Sequence, residues 1–146
     1  MQKQKGFTII ELIVVIAIIA VLAAIVLVNV TQYINKSKDA AIKGNLATIM
    51  TNATVYFDGH NSSFGNGYIT TDAATDGVTS VSNAITNAGS TLLAYGNPAT
   101  QDWCACAMEK TVSTTAYCVD GTGNKKEVVS TTCAAECTTP ATGKCQ

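Results

Sequence analysis

The feature that most restricts this chain is an uninterrupted run of 17 apolar residues, Leu12–Val28. Counted from Phe7, the apolar segment has 22 residues, and as a helix it rises roughly 33 Å at ~1.5 Å per residue. The hydrocarbon core of a bilayer is about 30 Å thick. The segment therefore predicts a membrane-spanning helix, and a chain of 146 residues leaves room for one further domain.

The residues before this run form a short polar leader, Met1–Gly6, with lysines at positions 3 and 5. A conventional secretory signal has an apolar region of about 7 to 15 residues followed by small residues at the cleavage site. Here the run is longer, and the small residue precedes it. The two lysines predict a cytoplasmic N-terminus by the positive-inside rule, so the chain beyond about residue 30 is expected to face outward.

Glu11 places a carboxylate near one end of the apolar helix, which costs about 3 kcal/mol if the group lies deep in the bilayer. One interpretation is a capping box, because Thr8 and Glu11 have the T-x-x-E spacing. The other is cleavage between Gly6 and Phe7, which would create an amine of pKa about 8 that pairs with Glu11 of the same helix or of a neighbouring subunit. Both interpretations stay open.

The ordered combination of a basic leader, Gly6, Phe7, Thr8, Glu11 and an aliphatic helix resembles the N-terminus of type IV pilins and type II secretion pseudopilins. The resemblance covers about the first 60 residues. It implies that a prepilin peptidase cuts after Gly6 and that Phe7 is N-methylated. It also implies that Glu11 neutralises the amine of an adjacent subunit during filament assembly.

The apolar run departs from this family in one respect. Many members carry a Gly within the stretch and a Pro toward its end, and Leu12–Val28 contains neither. Because Pro and Gly are the usual causes of helix kinks, the sequence favours a more continuous helix and argues against local unwinding within a filament.

An amphipathic segment continues the helix, which we expect to run from about Phe7 to about Phe57, where Asp58, Gly59 and Asn61 supply stop signals. Seven apolar side chains lie on one predicted stripe that packs on the globular part: Ile42, Leu46, Ile49, Met50, Ala53, Tyr56 and Phe57. The nearby charged residues are expected to form a solvated face: Lys36, Lys38, Asp39 and Lys43.

The remainder of the chain predicts a small antiparallel sheet. Residues 61–101 suggest loops with one short helix near Val81–Asn87, and three segments predict strands: Asp102–Met108, Ala116–Val119 and Glu127–Ser130. The expected fold class is α+β and pilin-like, with a long helix, half transmembrane and half amphipathic, on an antiparallel sheet with a disulfide-stapled C-terminal region. The expected divisions are a leader at 1–6, a helix at 7–60 with its transmembrane or filament-core part at about 7–29, and a globular head at 61–146.

Six cysteines fall in the last third of the chain: Cys104, Cys106, Cys118, Cys133, Cys137 and Cys145. An even number in a small exported domain predicts disulfides. Cys104 and Cys106 share one face of a strand and are poorly placed to bond each other. Of 15 connectivities we favour Cys104 or Cys106 with Cys118, while the last three tie down the C-terminal loop. Zinc binding is the rival interpretation.

No combination of side chains predicts catalysis, a cofactor or a metal site. The only histidine, His60, lies at the predicted helix end, where capping is the commoner role. Asp120, Thr122 and Asn124 alternate as in a calcium loop, but a hairpin turn is favoured because acidic ligands are too few. All nine basic residues are lysines, which gives no support to direct nucleic-acid binding.

The favoured function is a structural subunit of a type IV pilus-like filament. Its expected partners are further copies of itself in a helical filament, a prepilin peptidase, the cytoplasmic membrane and the pilus assembly machinery. The expected location is the cytoplasmic membrane before assembly, and an extracellular pilus or periplasmic pseudopilus afterwards. The alternatives are a pseudopilin of a type II secretion or competence (DNA uptake) machine, and a membrane-tethered extracellular binding module. Adhesion, twitching motility, DNA uptake and secretion stay open as roles.

Overall fold

The computed structural model describes residues 6–59, 78–97, 101–133, 137 and 145. The described chain contains two helices and four strands: α1 Ile9–Gly59, α2 Val78–Asn87, β1 Leu92–Asn97, β2 Asp102–Met108, β3 Thr115–Asp120 and β4 Lys125–Val129. It divides into two compact units, of which the first ends at Ile34 and the second begins at Asn35. The leader lysines, His60 and Asn61 lie outside the described residues.

The first unit contains the N-terminal part of α1. The helix begins at Ile9, two residues later than predicted, because Thr8 occupies the capping position before it. An 18-residue window of α1 has a mean hydropathy of 3.3, and none of that window is buried. Among the described residues this is the one helix long and apolar enough to cross a membrane.

The second unit contains a four-stranded antiparallel sheet of order β1-β2-β3-β4. The three predicted strands are confirmed, and the turn between β3 and β4 forms the predicted hairpin connection. β1 was missed, because the segment was expected to be loop. It contains Gly96 and Asn97, which are rare in strands, and its pairing with β2 decides its conformation, for example Leu93 opposite Cys106.

One face of this sheet packs on the amphipathic part of α1. Ile42, Leu46, Ile49 and Ala53 are buried, which confirms the predicted stripe, and Met50, Tyr56 and Phe57 are half-buried. Their partners in the core come from α2 and from the inward positions of the central strands: Val78, Val81, Ile85, Trp103, Ala105, Ala107 and Val119. The period of 3.6 in the helix and of 2 in the strands explains why these residues share one core.

The opposite face of the sheet is covered by disulfides. The bridges are Cys104–Cys137, Cys106–Cys133 and Cys118–Cys145, with Cα–Cα distances of 5.7, 5.9 and 5.9 Å. The predicted bond from Cys104 or Cys106 to Cys118 is wrong, although Cys106 and Cys118 are directly opposed in the sheet. All three strand cysteines point to one face, and each is bonded to a cysteine of the C-terminal segment.

The architecture confirms the α+β class, with a long N-terminal helix, a small antiparallel sheet and a disulfide-bonded C-terminal region.

Candidate functional site

The start of α1 is a complete capping box. The Thr8 backbone N–H and hydroxyl both donate to Oε2 of Glu11, at 2.8 and 2.7 Å, and the Glu11 N–H donates to the Thr8 hydroxyl oxygen at 3.3 Å. These bonds satisfy donors that the first turn of a helix leaves without partners. The capping interpretation of Glu11 is therefore confirmed as a structural fact. It does not exclude a further role for the carboxylate.

The predicted cleavage site lies immediately before this capping box. Gly6 and Phe7 are exposed and precede the first helical residue, and the Phe7 side chain is 87% exposed. A methyl group added at Gly6 would meet no heavy atom within 4 Å. A peptide bond that is exposed and outside a helix is open to a protease, because its backbone groups are not held in helical hydrogen bonds.

The apolar side chains of the first unit remain exposed within the monomer. From Ile9 to Val30 the large aliphatic side chains keep 45 to 78% of their surface. A soluble monomer rarely exposes a contiguous apolar surface larger than a few hundred Å². The helix therefore needs a bilayer or other protein subunits around it.

In the second unit, Asp39 lies on the buried side of α1, and Lys43, one turn further along, is half-buried. The carboxylate of Asp39 is 7% exposed and accepts hydrogen bonds from the Lys110 backbone N–H and from the N–H and hydroxyl of Thr111. The prediction of a solvated face is wrong for Asp39, whereas Lys36 is exposed as predicted and Lys38 and Lys43 are half-buried. The missed signal was spacing, because Asp39 continues the i, i+3, i+7 pattern of Ile42 and Leu46.

Lys43 joins α1 to two parts of the sheet region. Its ammonium group lies 2.8 Å from a carboxylate oxygen of Glu109 and 2.5 Å from one of Glu127, and 5.4 Å from the centre of the Tyr117 ring. The hydrogen bonds to Glu109 and Glu127 raise the pKa of Lys43 well above its usual value, against the opposing effect of burial. The lysine is therefore a fixed cation that holds the helix against the sheet.

The β3–β4 turn is organised by Asp120, whose side chain is fully buried. Oδ1 accepts hydrogen bonds from the N–H and hydroxyl of Thr122 and from the N–H of Asn124, and Oδ2 accepts from the Asn124 amide and the Cys145 N–H. Burial alone would raise the pKa of Asp120, but the bonds from Thr122, Asn124 and Cys145 lower it below its usual value. The favoured hairpin turn is confirmed.

The described residues contain no group of three or more His, Cys, Asp or Glu side chains placed to hold a metal ion. The described cysteines are all paired, which replaces the zinc alternative with disulfides.

A comparison with protein families matches the N-terminal residues of this chain. The family described as the prokaryotic N-terminal methylation motif matches residues 1–27, whereas no curated protein and no solved structure matches the chain. The matched residues contain the exposed Gly6–Phe7 bond, the capping box and most of the apolar run. The chain therefore carries at its N-terminus the prokaryotic N-terminal methylation motif, the prepilin-type signal of type IV pilins and pseudopilins.

Proposed function

We propose that this chain is the structural subunit of a type IV pilus-like filament. It is inserted in the cytoplasmic membrane, cut after Gly6 by a prepilin peptidase, N-methylated at Phe7, and assembled by packing of its apolar helices. Residues 1–6 are the leader in this proposal, 7–60 the helix and 61–146 the head. The observation that carries the proposal is the methylation motif at residues 1–27 on a helix whose apolar window is not buried by any of the residues that the structure describes.

The geometry of Glu11 is compatible with both of its proposed roles. The two Thr8 hydrogen bonds to the carboxylate use the same oxygen, Oε2, and the described residues provide no bond to Oε1. Cleavage after Gly6 would create a charged amine one residue before Thr8. In a filament core from which water is excluded, an uncompensated charge is costly. Glu11 of one subunit then pairs with the Phe7 amine of another while it keeps its own helix capped.

The cleavage step is tested with Gly6→Leu. We expect this variant to insert in the membrane, to keep its leader and to be absent from fibres sheared from cells, as judged by intact-mass analysis. Full-length variant protein in sheared fibres would contradict the proposed cleavage.

Two matched variants separate the charge of Glu11 from its capping role. Glu11→Gln keeps an oxygen that can accept the Thr8 bonds but removes the negative charge, whereas Thr8→Ala removes the cap and keeps the charge. We expect both to be cleaved. Glu11→Gln should lower fibre yield at least tenfold, which corresponds to about 1.4 kcal/mol, and Thr8→Ala should retain most of it. The opposite order of yields would show that capping, not charge pairing, is what assembly needs.

Intact-mass analysis of the sheared material also distinguishes this proposal from its alternatives. Abundant, cleaved and N-methylated protein on the cell surface supports a major pilus subunit, and scarce processed protein supports a pseudopilin. A membrane-tethered binding module predicts that a Glu11→Ala variant functions normally without any filament.

A further inference from the structure

The order of the cysteines in the three bridges has a consequence for how the protein folds. Each of the first three cysteines of the chain is bonded to one of the last three, with sequence separations of 33, 27 and 27 residues. No native bridge can therefore close before Cys133 is available. If the chain is oxidised in the order in which it is synthesised, Cys104, Cys106 and Cys118 are all available before any of their native partners has been made.

A competing pair is held close by the sheet itself. Cys106 and Cys118 are directly opposed on β2 and β3, and opposed residues of antiparallel strands have Cβ atoms about 4.5 to 5.5 Å apart. A disulfide needs about 3.5 to 4.5 Å, which a small shift of either strand supplies. The two cysteines are 12 residues apart (118 − 106), so their loop closes roughly threefold more readily than a loop of 27.

The C-terminal segment is poor in apolar residues that could bring it to the sheet. Residues 131–146 contain no Val, Leu, Ile, Met or aromatic residue. Two of the residues that the structure describes there make hydrogen bonds through their backbone. The Cys133 N–H donates to the Ser130 hydroxyl oxygen at 3.0 Å, and the Cys145 N–H donates to the Asp120 carboxylate at 3.0 Å. The buried side chains described in this segment are the half-cystines themselves. Large apolar side chains of this segment therefore do not bring the native pairs together before the bridges form.

We propose that this protein folds through an intermediate with a Cys106–Cys118 bridge, and that a thiol–disulfide isomerase of the exporting compartment is a partner that accelerates its maturation. This inference depends on the connectivity and on the sheet register, and it holds whether or not the chain assembles into a filament.

The exchange is balanced in electrons. A disulfide oxidant first takes two electrons and two protons from the thiols of Cys106 and Cys118. The isomerase thiolate then attacks Cys106 Sγ, which forms a mixed disulfide and releases Cys118 as a thiolate. Attack of the Cys133 thiolate on the same Cys106 sulfur forms the native bridge and returns the isomerase thiolate. The Cys118 thiolate takes up the proton that Cys133 gave up. Cys118 with Cys145, and Cys104 with Cys137, then each lose two electrons and two protons to the oxidant.

The first test is oxidative refolding of the full chain, reduced and unfolded, in detergent with a glutathione redox buffer. Samples are quenched by alkylation, and the disulfide-linked peptides are identified by mass spectrometry, with and without purified protein disulfide isomerase. We expect Cys106–Cys118 peptides to accumulate early, and the isomerase to speed formation of the three native bridges roughly tenfold or more, since reshuffling without a catalyst takes up to hours.

Two matched double variants test whether the Cys106–Cys118 bridge is what slows folding. Each of them removes one native bridge. Cys118→Ala with Cys145→Ala also removes the competing pair, and we expect it to form its two remaining bridges at a rate that the isomerase changes less than twofold. Cys104→Ala with Cys137→Ala keeps Cys106 and Cys118, and it should retain the roughly tenfold acceleration.

The inference is overturned if the wild-type chain reaches its native bridges equally fast without isomerase, or if Cys106–Cys118 peptides stay at trace level throughout refolding. Equal isomerase dependence of the two double variants would also overturn it. The wild-type measurement remains decisive if either variant fails to fold.

Discussion

Asp39 is the residue whose environment differs most from its expected one. Its two carboxylate oxygens hold the segment after β2 against α1 through the backbone of Lys110 and the backbone and hydroxyl of Thr111. Removing a buried acceptor and leaving its donors without a partner costs about 1 to 3 kcal/mol. A single side chain thus fixes the position of a connecting segment that has few apolar residues of its own.

Replacement of this carboxylate should destabilise the second unit. We expect Asp39→Ala to lower the free energy of unfolding by about 2 kcal/mol, measured on the full chain in detergent by urea titration of the fluorescence of its single tryptophan. Asp58→Ala is the control, because Asp58 lies on the same helix and is exposed, and its effect should stay within about 0.5 kcal/mol. Equal effects of the two variants would show that the hydrogen bonds of Asp39 contribute nothing to stability.

The two buried aspartates also make stability depend on pH. Burial opposes ionisation of Asp39, but hydrogen bonds from Thr111 and Lys110 and the charge of Lys43 lower the pKa of Asp39 below its usual value, and the pKa of Asp120 is lowered as well. A group with a lower pKa in the folded state stabilises that state above its unfolded pKa, here 3.8, and this stabilisation is lost as pH falls through the folded pKa.

We therefore expect the urea midpoint to decline below pH 3.8. A double variant, Asp39→Asn with Asp120→Asn, should start from lower stability at neutral pH and show a shallower decline in acid. A parallel decline of the two proteins between neutral and acid pH would assign the acid sensitivity to other carboxylates.

At the scale of elements, the sequence predicted the parts of the fold that follow from the periodic spacing of hydrophobic residues. The helix stripe and the three later strands follow from the spacing of apolar residues, and the prepilin-type signal follows from ordered residue types near the N-terminus. β1 was missed because Leu92–Asn97 has no clear alternation and becomes a strand through its pairing with β2. The cysteine pairs were mispredicted because nearness in the sheet does not decide which partner a third segment provides.

The β3–β4 turn is closely packed against β2 at Gly121. A Cβ atom built on Gly121 would lie 2.8 Å from Nε1 of Trp103 and 3.0 Å from its Cδ1. We expect Gly121→Ala to cost about 1 to 3 kcal/mol, since the indole is 2% exposed and has little room to move.

Gly44→Ala is the matched substitution for this test. Gly44 lies within α1, and a Cβ atom there would meet nothing within 4 Å. It should raise the free energy of unfolding by about 0.5 to 1 kcal/mol, because alanine restricts the unfolded chain and favours helix. The proposed close contact at Gly121 would be wrong if Gly121→Ala also raised the free energy of unfolding.

At the scale of the second unit, the two faces of the sheet are covered by different kinds of side chain. The face toward α1 is covered by aliphatic side chains, and the opposite face mainly by half-cystines. Each bridge closes a loop of about 30 residues, for which chain entropy gives a stabilisation of about 3 to 4 kcal/mol.

Reduction should therefore weaken the whole unit. We expect a reductant to lower the free energy of unfolding of the full chain by at least about 4 kcal/mol, with the tryptophan transition measured in urea before and after reduction. A midpoint unchanged by complete reduction, with free thiols counted by alkylation and mass, would show that the aliphatic core alone maintains the fold.

The bridges also create a defined place for engineering. Residues 138–144 lie between Cys137 and Cys145, whose sulfur atoms are both bonded to strands of the sheet. A peptide inserted between these two cysteines would therefore be held to the sheet by a covalent bond at each end, which makes this position a choice for an inserted epitope.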